Sequence, residues 1–497
     1  MFFNYYIRTA KISEINLIFH FLNTFLCYNM QYLFFAQQIK EFFPYKPTFE
    51  QEKSIKKLSE FFLTAQERGT LVLKGYAGTG KTTLMAAFVK TLVALHQKVV
   101  LLAPTGRSAK VFSSYAGLPA YTIHKKIYRE KSFTGEGGRF VLNDNLHKHT
   151  LLIIDEASMI ANDGLTGTMF GSGYLLDDLI SYVYSGEGCR LILMGDTAQL
   201  PPVGEDFSPA LDVHTLLEYG LQVMELEMKE VVRQQQESGI LWNATRLREL
   251  IEQERFDVLP KFRLEGFSDV RVVMGEELID VLSDCYDQDG QEDTLVICRS
   301  NKRANIYNRG IRGRILWREE ELESGDRVMV TKNNYYWTEG NTEMEFIANG
   351  DMAQVVRVRG DKELYGFHFV EVTLSFPDHD YLELDVNLLL DTLQSDAPSL
   401  SHEESEKLYQ QVMEDYAHIS PKRERIKKLK SDPYFNALQV KYAYAVTCHK
   451  AQGGQWKNVF IDQAYLSPEY LTSDFFRWLY TATTRATGTL YLVNYPE

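Results

Sequence analysis

The stretch Gly75-Tyr76-Ala77-Gly78-Thr79-Gly80-Lys81-Thr82 matches the pattern G-x-x-x-x-G-K-[ST] at every fixed position. The apolar run Leu71-Val72-Leu73 precedes it, and the helix-forming run Thr83-Leu84-Met85-Ala86-Ala87 follows it. A strand, a glycine-rich loop and a helix in this order form a P-loop, so the pattern predicts a parallel α/β core around this segment.

The chemistry of a P-loop follows from its backbone. Glycines let consecutive N–H groups, together with the positive end of the following helix, face a phosphate. Lys81 can reach the β- and γ-phosphates, and the Thr82 hydroxyl can hold Mg²⁺. The sequence therefore predicts a nucleoside triphosphate, ATP, with Mg²⁺, bound by Gly75, Gly78, Gly80, Lys81, Thr82 and Thr83.

Size and composition are those of an ordinary globular protein. A chain of 497 residues predicts about three domains. The net charge of −14 gives no global signal for nucleic acid, although binding needs only a local basic track. The five cysteines are odd in number, widely spaced and without a C-x-x-C pair. We therefore expect no disulfide framework, zinc site or iron–sulfur cluster, and a reducing cytoplasm.

The beginning of the chain, residues 1–44, is predicted to be a leader. Its apolar run Ile15–Leu26 is interrupted by Asn and His and is too short to span a membrane. It resembles a signal-peptide core, but no small-residue cleavage site follows it. We favour a third interpretation, in which translation begins at Met30, and we expect no membrane association.

Short β-rich apolar runs recur along the chain and end in turn or polar residues. Helical stretches separate several of them, which predicts doubly wound parallel sheets with ligands at the carboxyl ends of the strands. The first set is Thr70–Leu73, Val99–Ala103, Leu151–Ile154 and Leu191–Met194. The second set is Thr294–Cys298, Ala443–Thr447, Val459–Asp462 and Leu490–Val493. Two α/β cores in one chain follow.

Two insertions have residue patterns that differ from those of the parallel α/β cores. Within 125–148, the stretch Phe133–Leu142 predicts a short β hairpin projecting from the first core. In the second core, Gly325–Thr331 and the alternating stretches 353–359 and 368–374 predict a small antiparallel β module. The Asn349-Gly350 dipeptide within it is a hairpin signal.

A polar helical segment follows the β module, opening with the capping-box pattern Ser401-His402-Glu403-Glu404. Beyond it, six of the nine residues in Lys422–Lys430 are basic, which fits a solvated helix face and a phosphate-contacting face equally well. The aromatic residues at 335–337 could stack on bases or fill the core of the module, and we favour the core.

Asp155 and Glu156 follow a buried apolar strand downstream of the P-loop. In that place Asp155 can hold Mg²⁺, directly or through water, and Glu156 can orient and deprotonate an attacking water. The alternative is a carboxylate pair that caps a helix.

With Asp155-Glu156-Ala157-Ser158, the stretch Gly195-Asp196-Thr197-Ala198-Gln199-Leu200-Pro201-Pro202-Val203-Gly204 resembles motifs II and III of superfamily 1 helicases, in the RecD-like and Dda-like branch. The resemblance implies that Gln199 senses the γ-phosphate and couples hydrolysis to DNA contacts. It covers roughly residues 45–497, because further motifs follow in order.

Three further motifs imply nucleotide contacts. Thr48-Phe49-Glu50-Gln51 resembles the Q motif, whose Gln51 would read adenine. Glu230–Gln234 resembles motif IV and places Arg233 on the γ-phosphate, while Leu479–Ala486 resembles motif VI and makes Arg485 a second arginine finger. An ordinary surface salt bridge is the alternative for both arginines.

Other motifs imply contacts with a nucleic-acid strand. The resemblance assigns motif Ia to 102–109, a neighbouring contact motif to 122–124 and motif V to 446–453. For His124 in 122–124 and His449 in 446–453, the alternative is a structural histidine with no strand contact. The implied strand contacts are Pro104, Thr105, His124, Thr447, His449 and Lys450.

The resemblance implies two RecA-like P-loop domains, with a β hairpin inserted in the first and an SH3-like β module plus helices in the second. We expect domain one at 45–215, domain two at 216–330 and 441–497, and the module at 331–440. Two departures stand out: Gly454-Gln455 replaces the Glu that contacts ribose in many members, and the glycine-containing segment 160–189 is long and without an assigned role.

The implied function is a monomeric, ATP-dependent 5′→3′ DNA helicase of the repair and recombination type, acting on single-stranded and tailed duplex DNA. An RNA helicase of the same superfamily and a P-loop ATPase indifferent to nucleic acid remain as alternatives. A GTPase is disfavoured because Asn301-Lys302-Arg303-Ala304 lacks the Asp of N-K-x-D, and the LSGGQ pattern of ABC ATPases is absent.

Overall fold

The structure is a computed structural model that describes residues 30–64, 67–130, 140–162, 164, 171–232, 238–341, 343–344, 346–463 and 471–495. Arg233, the apolar run 15–26 and residues 131–139 of the expected hairpin lie outside the described residues. Within the described part, no helix is both long enough and apolar enough to cross a bilayer.

The strands and helices alternate along most of the chain. In chain order the described strands are β1 (Gly69–Gly75), β2 (Lys98–Ala103), β3 (Ala120–Thr122), β4 (Tyr128–Glu130), β5 (Phe140–Leu142), β6 (Thr150–Ile154), β7 (Arg190–Gly195), β8 (Gln222–Met228), β9 (Val270–Val273), β10 (Thr294–Cys298), β11 (Arg327–Val330), β12 (Met352–Leu364), β13 (Phe367–Phe376), β14 (Leu382–Leu389), β15 (Leu438–Tyr442), β16 (Ala445–Thr447), β17 (Trp456–Asp462) and β18 (Ala486–Val493). The described helices are α1 (30–42), α2 (Phe49–Leu63), α3 (Lys81–Ala94), α4 (Gly106–Ala116), α5 (Ile123–Ile127), α6 (Leu175–Ser185), α7 (Val213–Glu218), α8 (Gly239–Glu252), α9 (Leu278–Asp289), α10 (Asn301–Arg314), α11 (His402–Asp415), α12 (Lys422–Lys430), α13 (Cys448–Ala451) and α14 (Ser473–Thr483).

Six parallel strands form the first sheet, in the order β3-β2-β6-β7-β1-β8. Its central strands are apolar and buried on both faces, as in β6, where every residue of Thr150–Ile154 is buried. Continuous apolar runs of this kind are typical of parallel sheets covered by helices on both sides. The four strands predicted for the first core are confirmed.

Strand β8 corrects the expected end of domain one at 215. It pairs with β1 over its whole length, from Gly69 opposite Gln222 to Gly75 opposite Met228. The first sheet therefore extends to Met228, and domain two begins after it.

The leader boundary at 44 also needs correction. Helix α1 lies on the first domain, where Ile39 is fully buried and the Phe35 ring stacks on the Phe62 ring at 4.7 Å between centroids. Residues 30–44 therefore contribute to the first hydrophobic core. The segment 160–189, for which the sequence offered no role, supplies helix α6, whose Leu176 and Leu179 are fully buried in the same domain.

Five parallel strands form the second sheet, in the order β16-β10-β17-β18-β9. The four strands predicted for the second core are all present, with 443–447 shortened to Ala445–Thr447. The two parallel α/β sheets confirm the predicted pair of RecA-like domains.

The β module is a closed barrel of β11, β12, β13, β14 and β15. Strand β11 pairs with β15, as Val328 does with Tyr442, so the barrel runs from 327 to 442 and slightly exceeds the expected 331–440. A buried ion pair fastens the barrel to the second domain, because Arg312 of α10 donates two hydrogen bonds, each 2.9 Å long, to Asp326. Helix α11 has the predicted capping box at Ser401.

The insertion in the first domain is a two-stranded antiparallel pair of β4 and β5. The ring of Phe140 in β5 lies 4.3 Å from the ring of Tyr335, which belongs to the loop after β11. Tyr335, Tyr336 and Trp337 are half-buried, and Trp337 packs against the core of the barrel. The hairpin base and the barrel are therefore in direct contact.

Candidate active site between the two sheets

The P-loop connects β1 to α3. Gly78 and Gly80 have φ values of 78° and 83°, a left-handed conformation that favours glycine. A Cβ at Gly75 would lie 2.6 Å from Cδ of Lys81, so a larger residue there would displace the lysine side chain. The Lys81 ammonium donates hydrogen bonds to the carbonyls of Gly75 and Tyr76, which hold it over the loop.

Gln51 lies directly against the P-loop. Its amide nitrogen donates to the Thr79 carbonyl at 3.2 Å, and its amide oxygen accepts from the Thr48 N–H at 3.0 Å. A Cβ at Gly80 would lie 2.7 Å from the same amide nitrogen. Gln51 thus joins the N-terminus of α2 to the loop, and its reading of adenine remains a prediction.

Asp155 and Glu156 stand at the carboxyl end of β6. The Asp155 carboxylate accepts a hydrogen bond of 2.8 Å from the Glu156 N–H, and Glu156 has a φ of 51°. A non-glycine residue in this region is strained, a feature that clusters at functional sites. Burial, followed by the neighbouring Glu156 carboxylate, raises the pKa of Asp155 to about 7.

A cleft of about 400 Å³ separates the two sheets and receives side chains from both. The first domain contributes Lys81, Thr82, Asp155, Glu156 and Gln199, and the second contributes Gln455 and Arg485. The hydroxyl of Thr82 and the carboxylate of Asp155 are hard oxygen ligands of the kind Mg²⁺ prefers, so these residues fit the ion. The structure thus brings one predicted arginine finger to the same cleft as the P-loop lysine.

Arg485 is held by neutral groups rather than by a salt bridge. It is 3% exposed, and its guanidinium donates to the carbonyls of Thr481 and Gly454 at 3.1 and 3.2 Å and to the Thr484 hydroxyl. Among the described residues, no carboxylate lies within 4 Å of it. A buried cation without a counter-ion beside the P-loop is suited to an anionic ligand.

Gln199 follows β7 and is 6% exposed. Its side-chain oxygen has no hydrogen-bond partner within the described part of the chain. An unpaired buried amide oxygen calls for an explanation, and this one belongs to a residue that lines the cleft. Its role as γ-phosphate sensor remains a prediction.

Sequence reasoning missed Tyr480, which bridges the two domains. Its hydroxyl donates to the Asp196 carboxylate at 2.7 Å and accepts from the Ala77 N–H of the P-loop at 3.0 Å. Nearby, the Thr481 hydroxyl accepts a 2.8 Å bond from the Leu200 N–H. Tyr480 lies inside the quoted stretch 479–486, but nothing local to that stretch reveals its partners.

The segment that leads to Arg233 runs along the P-loop. The N–H of Val232 donates to the Gly78 carbonyl at 3.1 Å, and the N–H groups of Lys229 and Glu230 donate to the Glu50 carboxylate. Arg233 itself lies outside the described residues, so its contact with the γ-phosphate remains a prediction.

Motifs Ia and V, which contain most of the predicted strand contacts, touch each other at Thr105 and Gly453. Pro104 and Thr105 precede α4, and Thr105 caps that helix with a bond from the Ser108 N–H. A Cβ at Gly453 would lie 3.1 Å from the Thr105 hydroxyl. Motifs Ia and V therefore meet across the domain interface.

The remaining predicted strand contacts are spread over three elements. Thr447 occupies the N-cap position of α13 without a side-chain capping bond, and His449, two residues later, is exposed. Lys450 donates to the side chain of Asn349 in the barrel, and burial lowers the pKa of Lys450 to about 8. His124 packs instead on Tyr128 at the hairpin base, 5.7 Å between ring centroids, and burial lowers its pKa to about 4.

Comparison with known proteins also indicates a helicase. Residues 51–260 match a model described as an AAA domain, and residues 442–493 match a UvrD-like helicase C-terminal domain. An uncharacterized protein of Acanthamoeba polyphaga mimivirus is 23% identical, over 89% of this chain and 98% of its own length. The ATP-dependent RecD2 DNA helicase of Deinococcus radiodurans is 27% identical, over 61% of this chain and 38% of its own length.

Two further likenesses concern a phage protein and a solved structure. The ATP-dependent DNA helicase dda of Enterobacteria phage T4 is 25% identical, over 59% of this chain and 63% of its own length. A structure of Pif1 helicases at forked double-stranded DNA has 17% identity and a TM-score of 0.47, covering 90% of this chain and 92% of that one. From the two model matches, the RecD2 and dda relatives and the motifs gathered around one cleft, the chain belongs to the superfamily 1 helicases of the RecD-like and Dda-like branch, which are ATP-hydrolysing enzymes.

Proposed function

We propose that the protein is an ATP-dependent DNA helicase of the repair and recombination type, which moves 5′→3′ along single-stranded DNA and unwinds duplex as a monomer. One observation carries the proposal: Arg485 of the second domain lines the same cleft as Lys81 of the first. The RecD2 and dda relatives are ATP-dependent DNA helicases, which supports DNA as the substrate and ATP as the fuel.

Phosphoryl transfer depends mainly on positioning and on neutralising charge at the γ-phosphate oxygens. In the proposed mechanism Lys81 contributes positive charge from the first domain, and Arg485 with Arg233 contributes it from the second. Arginine fingers raise such rates on the order of 10³–10⁵-fold. Hydrolysis is therefore fast only while the two domains are closed.

The other cleft residues have separate tasks. Glu156 orients and deprotonates the attacking water, and Gln199 detects the γ-phosphate. Thr82 and Asp155 would hold Mg²⁺, which when bound neutralises charge on the phosphate oxygens. When the shared anion is lost, the closed arrangement loses a common ligand and the domains separate, so a strand held by both advances in steps.

The strand would cross the surface where motifs Ia and V meet, close to Thr105, Thr447, His449 and Lys450. The hairpin of β4 and β5, packed on the barrel, would split the duplex ahead of it. The 5′→3′ direction rests on membership of the RecD-like and Dda-like branch.

The test is an unwinding assay on duplexes that carry either a 5′ or a 3′ single-stranded tail, with and without ATP. We expect ATP-dependent unwinding of the 5′-tailed duplex. A preference for the 3′ tail would overturn the direction, and ATPase activity equal with and without poly(dT) would overturn the helicase assignment. Stronger stimulation by poly(U) than by poly(dT) would make RNA the substrate.

A further inference from the structure

The exposed face of helix α12 is strongly basic in a chain whose net charge is −14. We call Arg423, Lys427 and Lys428 the basic face, because all three side chains are exposed. The exposed Glu424 lies on the same side of the helix, so this side carries a net charge of +2. The opposite side of the helix is fixed to the protein, since Leu429 is buried together with Leu408 and Val412 of α11. The helix is therefore anchored, and the basic face points away from the anchor.

Within the described part of the chain, the basic face takes no part in ion pairing. In the regions that the structure describes, no carboxylate lies within 4 Å of Arg423, Lys427 or Lys428. Helix α11 beside it is acidic, but its Asp415 carboxylate accepts a hydrogen bond from the Tyr365 hydroxyl instead. These cations are not needed to hold the helix in place, which leaves their charge available to a partner.

A short series of contacts links α12 to the hairpin. The last residue of α12, Lys430, accepts a 2.7 Å hydrogen bond at its carbonyl from the Asn436 side chain. The Asn436 carbonyl in turn accepts from the Trp337 indole at 2.8 Å. Two residues before Trp337, the ring of Tyr335 packs on Phe140 of the hairpin. The basic helix and the hairpin base thus belong to one packed unit.

We propose that the basic face of α12 binds the phosphate backbone of duplex DNA that arrives at the hairpin. Arg423 and Lys427 lie one helical turn apart, about 6 Å along the axis. Duplex DNA presents one negative charge per about 1.7 Å of its axis, so neighbouring cations on one helix face meet phosphates without sequence preference. The inference rests on the proposed function, because the hairpin marks where the duplex enters.

We favour duplex DNA over a single strand as the ligand because the basic face lies on α12, in the helical segment between strands β14 and β15 of the barrel. The strand contacts of motifs Ia and V lie elsewhere, at the domain interface, as with Thr105 beside Gly453. An acidic protein segment would also fit the charge, but the contacts of α12 with other described residues provide no apolar pocket of the kind that a protein interface needs at its centre.

The test compares the wild type with the triple variant Arg423→Gln/Lys427→Gln/Lys428→Gln. Affinity for a forked duplex is measured by fluorescence anisotropy at several salt concentrations. Each lost phosphate contact lowers the slope of log K against log salt by about 0.9, so we expect the slope to fall by about 2 to 3 and affinity to weaken roughly tenfold at low salt. Binding to oligo(dT) and ATPase activity with poly(dT) should stay within about twofold of the wild type.

The matched control is Lys53→Gln/Lys56→Gln/Lys90→Gln. These three lysines are exposed on α2 and α3 of the first domain, so the control removes the same charge from another surface. It should bind the fork as the wild type does. Equal losses in both triple variants would show a general charge effect and overturn the proposal.

Three other outcomes are decisive. A variant with unchanged fork affinity and salt slope overturns the proposal. An equal loss of oligo(dT) binding places the basic face on the strand path and also overturns it. If the wild type fails to unwind tailed duplexes while the variant still loses its fork-specific salt slope, the surface is supported and the helicase proposal fails, so the two can be told apart.

Discussion

Replacing Tyr480 by phenylalanine tests whether the two domains act as one catalytic unit. The change removes only the hydroxyl, which joins the Asp196 carboxylate at 2.7 Å and the Ala77 N–H at 3.0 Å. The ring is fully buried among apolar side chains and keeps its packing. Burial, with the Asp196 carboxylate, holds the pKa of Tyr480 well above its usual range, so the hydroxyl stays protonated and able to donate.

The expected effect of Tyr480→Phe follows from the two hydrogen bonds that the hydroxyl makes. A hydrogen bond to a carboxylate contributes about 1.5–3 kcal/mol and one between neutral groups about 1 kcal/mol, so the closed arrangement loses about 3 kcal/mol. Both partners belong to the first domain, whereas Tyr480 belongs to the second, so the loss falls on closure rather than on folding of either domain. We expect kcat/KM for ATP to fall by about 100-fold.

The assay is steady-state hydrolysis of ATP with saturating poly(dT). Tyr286→Phe is a matched control, because this buried tyrosine of the second domain has a hydroxyl without a hydrogen-bond partner among the described residues. The control should change kcat/KM by less than about twofold. Equal kcat/KM values for the two variants would refute the idea that Tyr480 couples the domains.

Four further outcomes are expected. Lys81→Ala should abolish hydrolysis while single-strand binding in a filter assay stays close to the wild type; loss of both would mean that the first domain has unfolded. Glu156→Gln should bind a fluorescent ATP analogue but not turn ATP over, and measurable turnover would remove Glu156 as the base. In Arg107→Gln the guanidinium no longer stacks on Trp456, from whose ring centroid it lies 4.2 Å away, and this contact is worth about 1–2 kcal/mol. We therefore expect the rate of duplex unwinding to fall roughly tenfold, while the melting temperature of the protein stays that of the wild type. An unaltered unwinding rate would contradict this. Affinity for oligo(dT) should fall from pH 7 to 9, because Lys450 loses its charge around a pKa of about 8, and Lys450→Arg should be insensitive to pH over that range; equal pH dependence would exclude Lys450 from the strand contacts.

The strands of both sheets could be predicted because buried parallel strands are continuous apolar runs, as in Thr150–Ile154. Strand β8 was missed for a physical reason. It lies at the edge of the first sheet, where Glu225 and Glu227 face solvent between apolar residues. An edge strand of this kind has no continuous apolar signal, so its membership of the sheet depends on pairing with β1.

Residues of the candidate site could be predicted where a motif fixes them locally, as for Lys81 and Arg485. Contacts between distant parts of the chain could not. Tyr480 is separated from Asp196 by 284 positions and from Ala77 by 403 positions, and no local pattern encodes either pairing. The barrel boundary was misplaced for the same reason, because β11 and β15 recognise each other only in the folded state.

The contacts that cross the domain interface explain how closure can be both specific and reversible. They include the Leu200 N–H to the Thr481 hydroxyl at 2.8 Å and the Gln452 amide to the Leu200 carbonyl at 2.9 Å. Hydrogen bonds of this kind exchange with water at a net cost of about 1 kcal/mol each. Tyr76, Ala198 and Leu200 of the first domain add apolar contacts, because they are buried in the hydrophobic cluster of the second domain. Because Leu200 follows Gln199 directly, a γ-phosphate sensed at Gln199 and a contact with the second domain share one loop. Loss of the phosphate can therefore be transmitted through this loop to the second domain, in whose hydrophobic cluster Leu200 is buried.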